Sequence, residues 1–165
     1  MRPLQLTTVI KIYTDGSSRG NPGPGGYGVI LKYKSHQKEI SQGFRKTTNN
    51  RMELLGVIIG LESLKTTDND VYIYSDSKYV VDSVEKGWLR SWIKKDFKGK
   101  KNKDLWQRFW ELYQHQKVTF FWIKGHVGQT ENERCDALAV ASSKKKDLLI
   151  DYHYEKDMAY KCHPS

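Results

Sequence analysis

The chain has 165 residues and a formal net charge of +9, from 28 Lys plus Arg against 19 Asp plus Glu. Its 38% hydrophobic and 12% aromatic content is enough for one folded core and excludes a disordered polyelectrolyte. There is no apolar run of about eighteen residues, so a helical membrane span is excluded, and the positive balance favours a polyanionic partner without saying which.

Val9–Thr14 alternates apolar and polar residues until Asp15-Gly16, which reads as a strand closed by a turn. Gly20-Asn21-Pro22-Gly23-Pro24-Gly25-Gly26 is the densest turn signal and returns the chain into a second strand, Tyr27–Lys34. His36–Lys38 turns again into a third strand, Lys38–Arg45, so the chain opens as an antiparallel meander. At Thr48 the period changes. Leu54, Ile58, Leu61 and Leu64 recur at helical spacing, predicting a helix over Asn49–Lys65 with Thr48 as its cap. Asp70–Tyr74 is a short strand and Ser75-Asp76-Ser77 opens the next helix. Strand, helix, strand argues for a right-handed crossover and a sheet that turns parallel after its hairpins.

Lys86–Lys103 stands out electrostatically, with seven lysines and Arg90 against a single acid, Asp96. It also holds Trp88, Trp92 and Phe97, and reads as one or two helices with a wet basic face. A helix over Asp104–His115 carries Trp106 and Trp110 as a core stripe, and Val118–Ile123 is a fifth strand. Thr130-Glu131-Asn132-Glu133 fits a capping box ahead of the small apolar run Cys135–Ala141. The pattern weakens after Lys146. The expected organisation is a domain over 1–146, with a basic protrusion at 86–103, and a tail at 147–165 that is partly docked at Leu148–Ile150 and frayed from Met158.

Residues 1–15 hold only two basic residues, Arg2 and Lys11, and no apolar stretch of signal-peptide length. With two cysteines, Cys135 and Cys162, a reducing cytoplasmic setting is expected.

Four acids draw attention by position. If the strands ending near Asp15 and Asp76 are parallel neighbours, both carboxylates face one crevice, where open α/β sheets bind ligands. Glu53 sits early in the first long helix, beside its apolar ladder. Asp136, among Cys135, Ala137, Leu138 and Ala139, is expected to face inward or into a cleft. Two carboxylates about 4 Å apart repel by several kcal/mol even at an effective dielectric of about 20. A bridging divalent cation removes that penalty, and an oxygen set without convergent His or Cys suits Mg²⁺ or Mn²⁺ rather than Zn²⁺. An acid cluster beside a basic, Trp-bearing arm fits phosphodiester hydrolysis by two metal ions. Each feature also has an ordinary alternative: Asp15 as a turn residue, Glu53 as a helix N-terminal charge, Asp76 as a cap, the lysine run as a solvated face.

Several segments together resemble type 1 ribonucleases H of the bacterial kind. They are Tyr13-Thr14-Asp15-Gly16-Ser17, Gly20–Gly26, Thr47-Thr48-Asn49-Asn50-Arg51-Met52-Glu53-Leu54 and Ser75-Asp76-Ser77-Lys78-Tyr79-Val80. Asp104-Leu105-Trp106, Lys124-Gly125-His126-Val127-Gly128 and Glu131–Ala139 complete the set, and the likeness spans about residues 8–145. The resemblance implies an α/β fold with a five-stranded mixed sheet, ordered 3-2-1-4-5, flanked by helices. It also implies cleavage of the RNA strand of RNA–DNA hybrids with two Mg²⁺ ions, leaving 5′-phosphate and 3′-hydroxyl ends, with Mn²⁺ as a possible substitute. Asp15, Glu53, Asp76 and Asp136 resemble the metal-binding tetrad, and His126 the family's mobile histidine.

Ser18, Asn21, Asn49 and Asn50 resemble the residues that track the minor groove, where the 2′-hydroxyl marks RNA. Thr48 is a candidate DNA-phosphate contact or simply a helix cap, and one of Asn49 and Asn50 is a further cap candidate. Trp88, Trp92, Lys94, Lys95, Lys100 and Lys101 resemble the protrusion that grips the DNA strand. Lys78 stands where bacterial relatives often have Gln; it cannot accept a hydrogen bond, which points it toward phosphate rather than base or sugar. The expected protein is a monomer acting on RNA–DNA hybrid, without membrane or organic cofactor. A non-catalytic nucleic-acid module and the nuclease domain of a retroviral-type polymerase stand as alternatives, as does a DNA-cutting relative of the fold.

Overall fold

The first two hairpins build three of the five strands of one sheet. In the computed structural model, which describes residues 8–124 and 130–162, β1 (Ile10–Ser18), β2 (Gly23–Tyr33) and β3 (His36–Thr47) pair antiparallel. β4 (Asp70–Ser75) then joins β1 in parallel and β5 (Lys117–Trp122) joins β4 in parallel, giving the order β3-β2-β1-β4-β5. This is the mixed sheet that the resemblance implied.

β1 outruns its expected end. It continues through Asp15 and Gly16, which pair with Gly28 and Tyr27, so Asp15 lies inside the strand and not at its terminus. Gly23–Gly26, expected as turn, belong to β2. A Cβ at Gly26, Gly28 or Gly43 would collide with Ser142 or with backbone oxygens of Cys135, Ala139 or Ser142. These strand glycines therefore form the seat on which α5 (Thr130–Ser143) lies close to the sheet. The second turn is Lys34-Ser35 rather than His36–Lys38, with Tyr33 paired to His36 across it.

Strand alternation separates two apolar layers. Ile12 and Val29 share the main core with Leu54, Val57, Ile58 and Leu61 of α1 (Asn49–Glu62), whereas the alternate Tyr13 and Ile30 pack with Cys135 of α5. The helices α1 and α5 thus cover opposite faces. Most of α1 is buried because α4 (Lys103–Tyr113) packs over it, bringing the fully buried Trp106 and Phe109. Trp106 is core, as expected, and its indole N–H donates to the Tyr79 hydroxyl at 2.8 Å.

Two short helices, α2 (Lys78–Glu85) and α3 (Trp88–Lys94), lead into the basic protrusion. There the backbone turns through left-handed Asp96, Phe97, Gly99 and Asn102, with Phe97 buried as its anchor.

Beyond α5 the chain docks by a bridge between Leu149 and Phe44 and forms α6 (Tyr152–Cys162), where fraying was expected from Met158. What holds this segment is invisible to local pattern. The buried Arg51 guanidinium donates to both carboxylate oxygens of Asp104 (2.9 and 2.8 Å) and of Asp151 (2.7 and 2.9 Å). Thr47 adds a bond to Asp151 at 2.8 Å. Burial disfavours the Arg51 charge, but the bonds from Asp104 and Asp151 outweigh it and hold its pKa above the ordinary arginine value.

Candidate active site

Parallel pairing of β1 with β4 sets Tyr13 beside Tyr74, so Asp15 and Asp76 emerge at the same end of neighbouring strands. The third acid arrives from α1. Gly16 has no side chain, and a Cβ there would overlap the backbone of Met52 and Glu53; its absence lets α1 press against β1 where Glu53 meets Asp15. One carboxylate oxygen each from Asp15, Glu53 and Asp76 lie within 4.8 Å of one another. Asp15 and Glu53 are only 3% and 4% exposed, and Asp76 is half-buried.

The electrostatics are those of a site built for a cation. Asp15 Oδ1 accepts the Gly16 N–H at 2.9 Å, while Glu53 Oε2 is buried with no hydrogen-bond partner. Burial, then the negative charges of Asp15 and Asp76, push the Glu53 carboxyl well above its ordinary value, against a small opposing effect of the Gly16 N–H. A divalent cation answers both strains, since it needs hard oxygen ligands and supplies the missing positive charge. The residues present fit magnesium or manganese.

Asp136 is not one of the three. It is exposed on α5, so of the two expectations, inward or into a cleft, the inward one fails. The close-packed stripe of α5 is Cys135, Ala139 and Ser142, and the Cys135 thiol reaches the Tyr13 carbonyl at 3.3 Å. The small neighbours of Asp136 thus report the tight approach of that stripe, while Asp136 occupies its solvent flank. His126 lies outside the described residues.

Around the cluster the other candidates fall into groups. Asn21 and Asn49 meet directly: the Asn49 N–H donates to Asn21 Oδ1 at 3.1 Å. Thr48 caps α1, its hydroxyl accepting from the Arg51 N–H at 3.3 Å; neither Asn49 nor Asn50 is the cap. Ser18 ends β1, partly exposed. A groove of about 640 Å³ joins Asn21, Thr48 and Asn50 to Lys100, Lys101 and His153. None of the three acids lines it, but α1 connects the two places, with Thr48 at its start and Glu53 further along.

On the protrusion, Trp88 is 44% exposed, with the Lys86 ammonium 5.5 Å from its ring centre. Lys94 and Lys95 are exposed. Trp92 differs. It is half-buried and packs edge-on against Trp106 at 5.8 Å, with Lys100 5.3 Å from its ring centre, so part of its surface belongs to the core. Lys78 is exposed at the first position of α2, capped by Ser77 and not by Asp76. Sequence reasoning missed Trp122, which ends β5 beside Asp76; its aromatic character at a parallel strand's end was the available signal. It also missed the Arg51–Asp151 pair, for which the sequence holds no local signal.

A mixed sheet that gathers carboxylates where β1 runs beside the end of β4, in a strongly basic chain, defines a metal-dependent hydrolase of nucleic-acid phosphodiesters. Comparisons with known proteins narrow the class. The sequence profile of the RNase H family matches residues 7–144. A ribonuclease H of Desulforamulus reducens is 54% identical over 147 residues, covering 86% of this chain and 92% of that protein. One from Trichodesmium erythraeum is 49% identical over 153 residues, covering 90% and 97%. Among solved structures, LC9-RNase H1, described as a type 1 RNase H with the type 2 active-site motif, superposes with a TM-score of 0.75. It is 31% identical, covering 93% of this chain and 82% of that one. LC11-RNase H1 in complex with RNA/DNA hybrid gives a TM-score of 0.61 at 25% identity, covering 88% and 99%. The chain belongs to the RNase H family.

Proposed function

We propose that this chain cuts the RNA strand of RNA–DNA hybrids at the cluster of Asp15, Glu53 and Asp76, releasing 5′-phosphate and 3′-hydroxyl ends. The convergence of these three acids from β1, α1 and the end of β4 carries the reading. Asp15, Glu53 and Asp76, with Asp136 from the α5 flank, would hold two Mg²⁺ ions, or Mn²⁺ in their place. Bound there, such ions supply Lewis acidity at the scissile phosphate and a water made nucleophilic near neutral pH.

The chain's own groups do the rest. Buried Asp15 and Glu53 present fixed oxygens that need no reorganisation as charge develops. Ser18, Asn21, Asn49 and Asn50 track the minor groove, where they both donate to and accept from the 2′-hydroxyls that distinguish RNA. Thr48, Lys100 and Lys101 line the groove over the start of α1 and bind phosphate of the DNA strand. Trp88, Lys94 and Lys95 extend that grip along the protrusion, and Trp92 offers the part of its ring that the core leaves uncovered. Lys78 meets phosphate beside the acids. His126 takes or gives a proton as product departs. We further infer that the catalytic domain spans residues 1–146, with a tail at 147–165 that is partly docked through Leu149 and Asp151, and that the protein acts as a cytoplasmic monomer without an organic cofactor. Among the described residues no helix is long and apolar enough to cross a membrane.

Parallel assays on hybrid, double-stranded RNA and DNA test the reading. Hybrid alone should be cut, with Mg²⁺ and not with EDTA, and Asp76→Asn should abolish cutting while hybrid is still bound. Undiminished cleavage by Asp76→Asn would overturn the assignment.

A further inference from the structure

A tryptophan that no reading of the sequence singled out touches the site from outside the carboxylate set. Trp122 is the last residue of β5, paired in register with Ser75 at the end of β4. The next amide, Ile123 N–H, donates to the Ser75 carbonyl at 2.9 Å, so β5 is fastened to the chain just before Asp76. The indole N–H of Trp122 then donates to the Asp76 carbonyl at 3.2 Å. Its ring carries the Lys78 ammonium 4.6 Å from the centre. For so large an apolar side chain Trp122 stays open, at 42% exposure, and Lys78 is exposed beside it.

One side chain therefore makes two attachments. Its edge holds the backbone of a cluster acid and its face holds a cation two residues further on. A free lysine on a helix would sample many rotamers; one resting on an indole face is confined, with ammonium hydrogens left over for a second partner. Among the described residues no carboxylate forms an ion pair with Lys78. The ammonium is thus available to an incoming anion, and the anion that must lie over the acids is the backbone of the strand being cut.

We propose that Trp122 is a positioning residue, whose ring holds Lys78 ready for a backbone phosphate of the strand that crosses the acid cluster. This rests on the nuclease reading above and adds to it a fixed cation at the lip of the site. A phosphate contact is independent of base sequence and weakens with salt, and each one adds about one unit to the slope of log affinity against log salt.

The test is binding of a labelled RNA–DNA hybrid to the full chain in EDTA, from about 50 to about 200 mM salt, alongside steady-state cleavage with Mg²⁺. Lys78→Gln should flatten the salt slope by about one and raise KM with kcat nearly unchanged. Trp122→Ala should flatten the slope equally, and the double variant no further. Trp122→Phe, which keeps a ring and loses the N–H, should keep the wild-type slope even if kcat falls through the lost bond to Asp76. An unchanged slope in Lys78→Gln overturns the proposal. So do additive effects of the two substitutions, or a Trp122→Phe protein that behaves like Trp122→Ala. Should Trp122→Ala fail to fold, Lys78→Gln and Trp122→Phe still decide. Failure of the nuclease reading looks different: the wild-type protein would cut no hybrid at all.

Discussion

Asp15→Asn should stabilise the metal-free protein while destroying its activity. The variant keeps an oxygen to accept the Gly16 N–H, now 2.9 Å from Asp15 Oδ1, and removes one charge from three whose oxygens lie within 4.8 Å. At that distance and an effective dielectric of about 20, each like-charged pair costs about 3.5 kcal/mol as an upper scale. The raised Glu53 carboxyl relieves part of this by keeping a proton, so the expected net gain is about 1–3 kcal/mol. For a chain of this size that is roughly 2–10 °C in Tm.

The gain should depend on pH. Glu53 titrates above its ordinary 4.5 in the folded state. Its proton-linked stability is fully present below 4.5 and is lost as pH climbs through the raised native value. The wild-type protein should therefore weaken over that rise more than Asp15→Asn, whose Glu53 has lost one repelling neighbour. Thermal melts in EDTA at mildly acidic and mildly alkaline pH measure both effects, and added Mg²⁺ should raise the wild-type Tm more than the variant's. A variant less stable than wild type in EDTA at alkaline pH would refute the electrostatic account.

Arg51→Ala should cost about 3–5 kcal/mol in denaturant unfolding, because it strands the buried Asp151 and the partly buried Asp104 without their shared cation. Gly28→Ala should destabilise by about 1–3 kcal/mol, since its Cβ would meet the Cys135 carbonyl and force α5 off the sheet; a neutral melt would show that α5 yields freely. Neutralising Lys94, Lys95, Lys100 and Lys101 together should raise KM for hybrid more than it lowers kcat, and a large kcat loss at saturating hybrid would contradict their place away from the acids. Trp88→Ala should leave the melting curve nearly unchanged while weakening hybrid binding, because the ring is largely exposed. Trp92→Ala should lower Tm through its lost contact with Trp106.

Much of the site could be read from letters because its parts sit in compact local patterns. Thr48 announces itself as a cap just ahead of the apolar ladder that starts at Leu54, and the structure makes it one. Asp15 and Asp76 follow strand-like runs, and once β1 and β4 pair in parallel their side chains share one end. Asp136 shows the limit of this reasoning. Small and apolar neighbours marked a closely packed helix, but which side of it is packed depends on the rotation of α5 against the sheet.

Legible along the chain were the alternation of strands and helices, the concentration of lysines between residues 86 and 103, and the supply of acids on or near the strands. Periodicity, turn chemistry and charge are properties of neighbours along the chain. Packing of the folded chain is what brings Glu53 onto Asp15 at Gly16, seats α5 on the strand glycines, ties Asp104 to Asp151 through Arg51, and lets Trp122 reach both Asp76 and Lys78. Each of those contacts joins residues far apart in sequence, and its energy depends on close approach or exclusion of water, which no local pattern encodes.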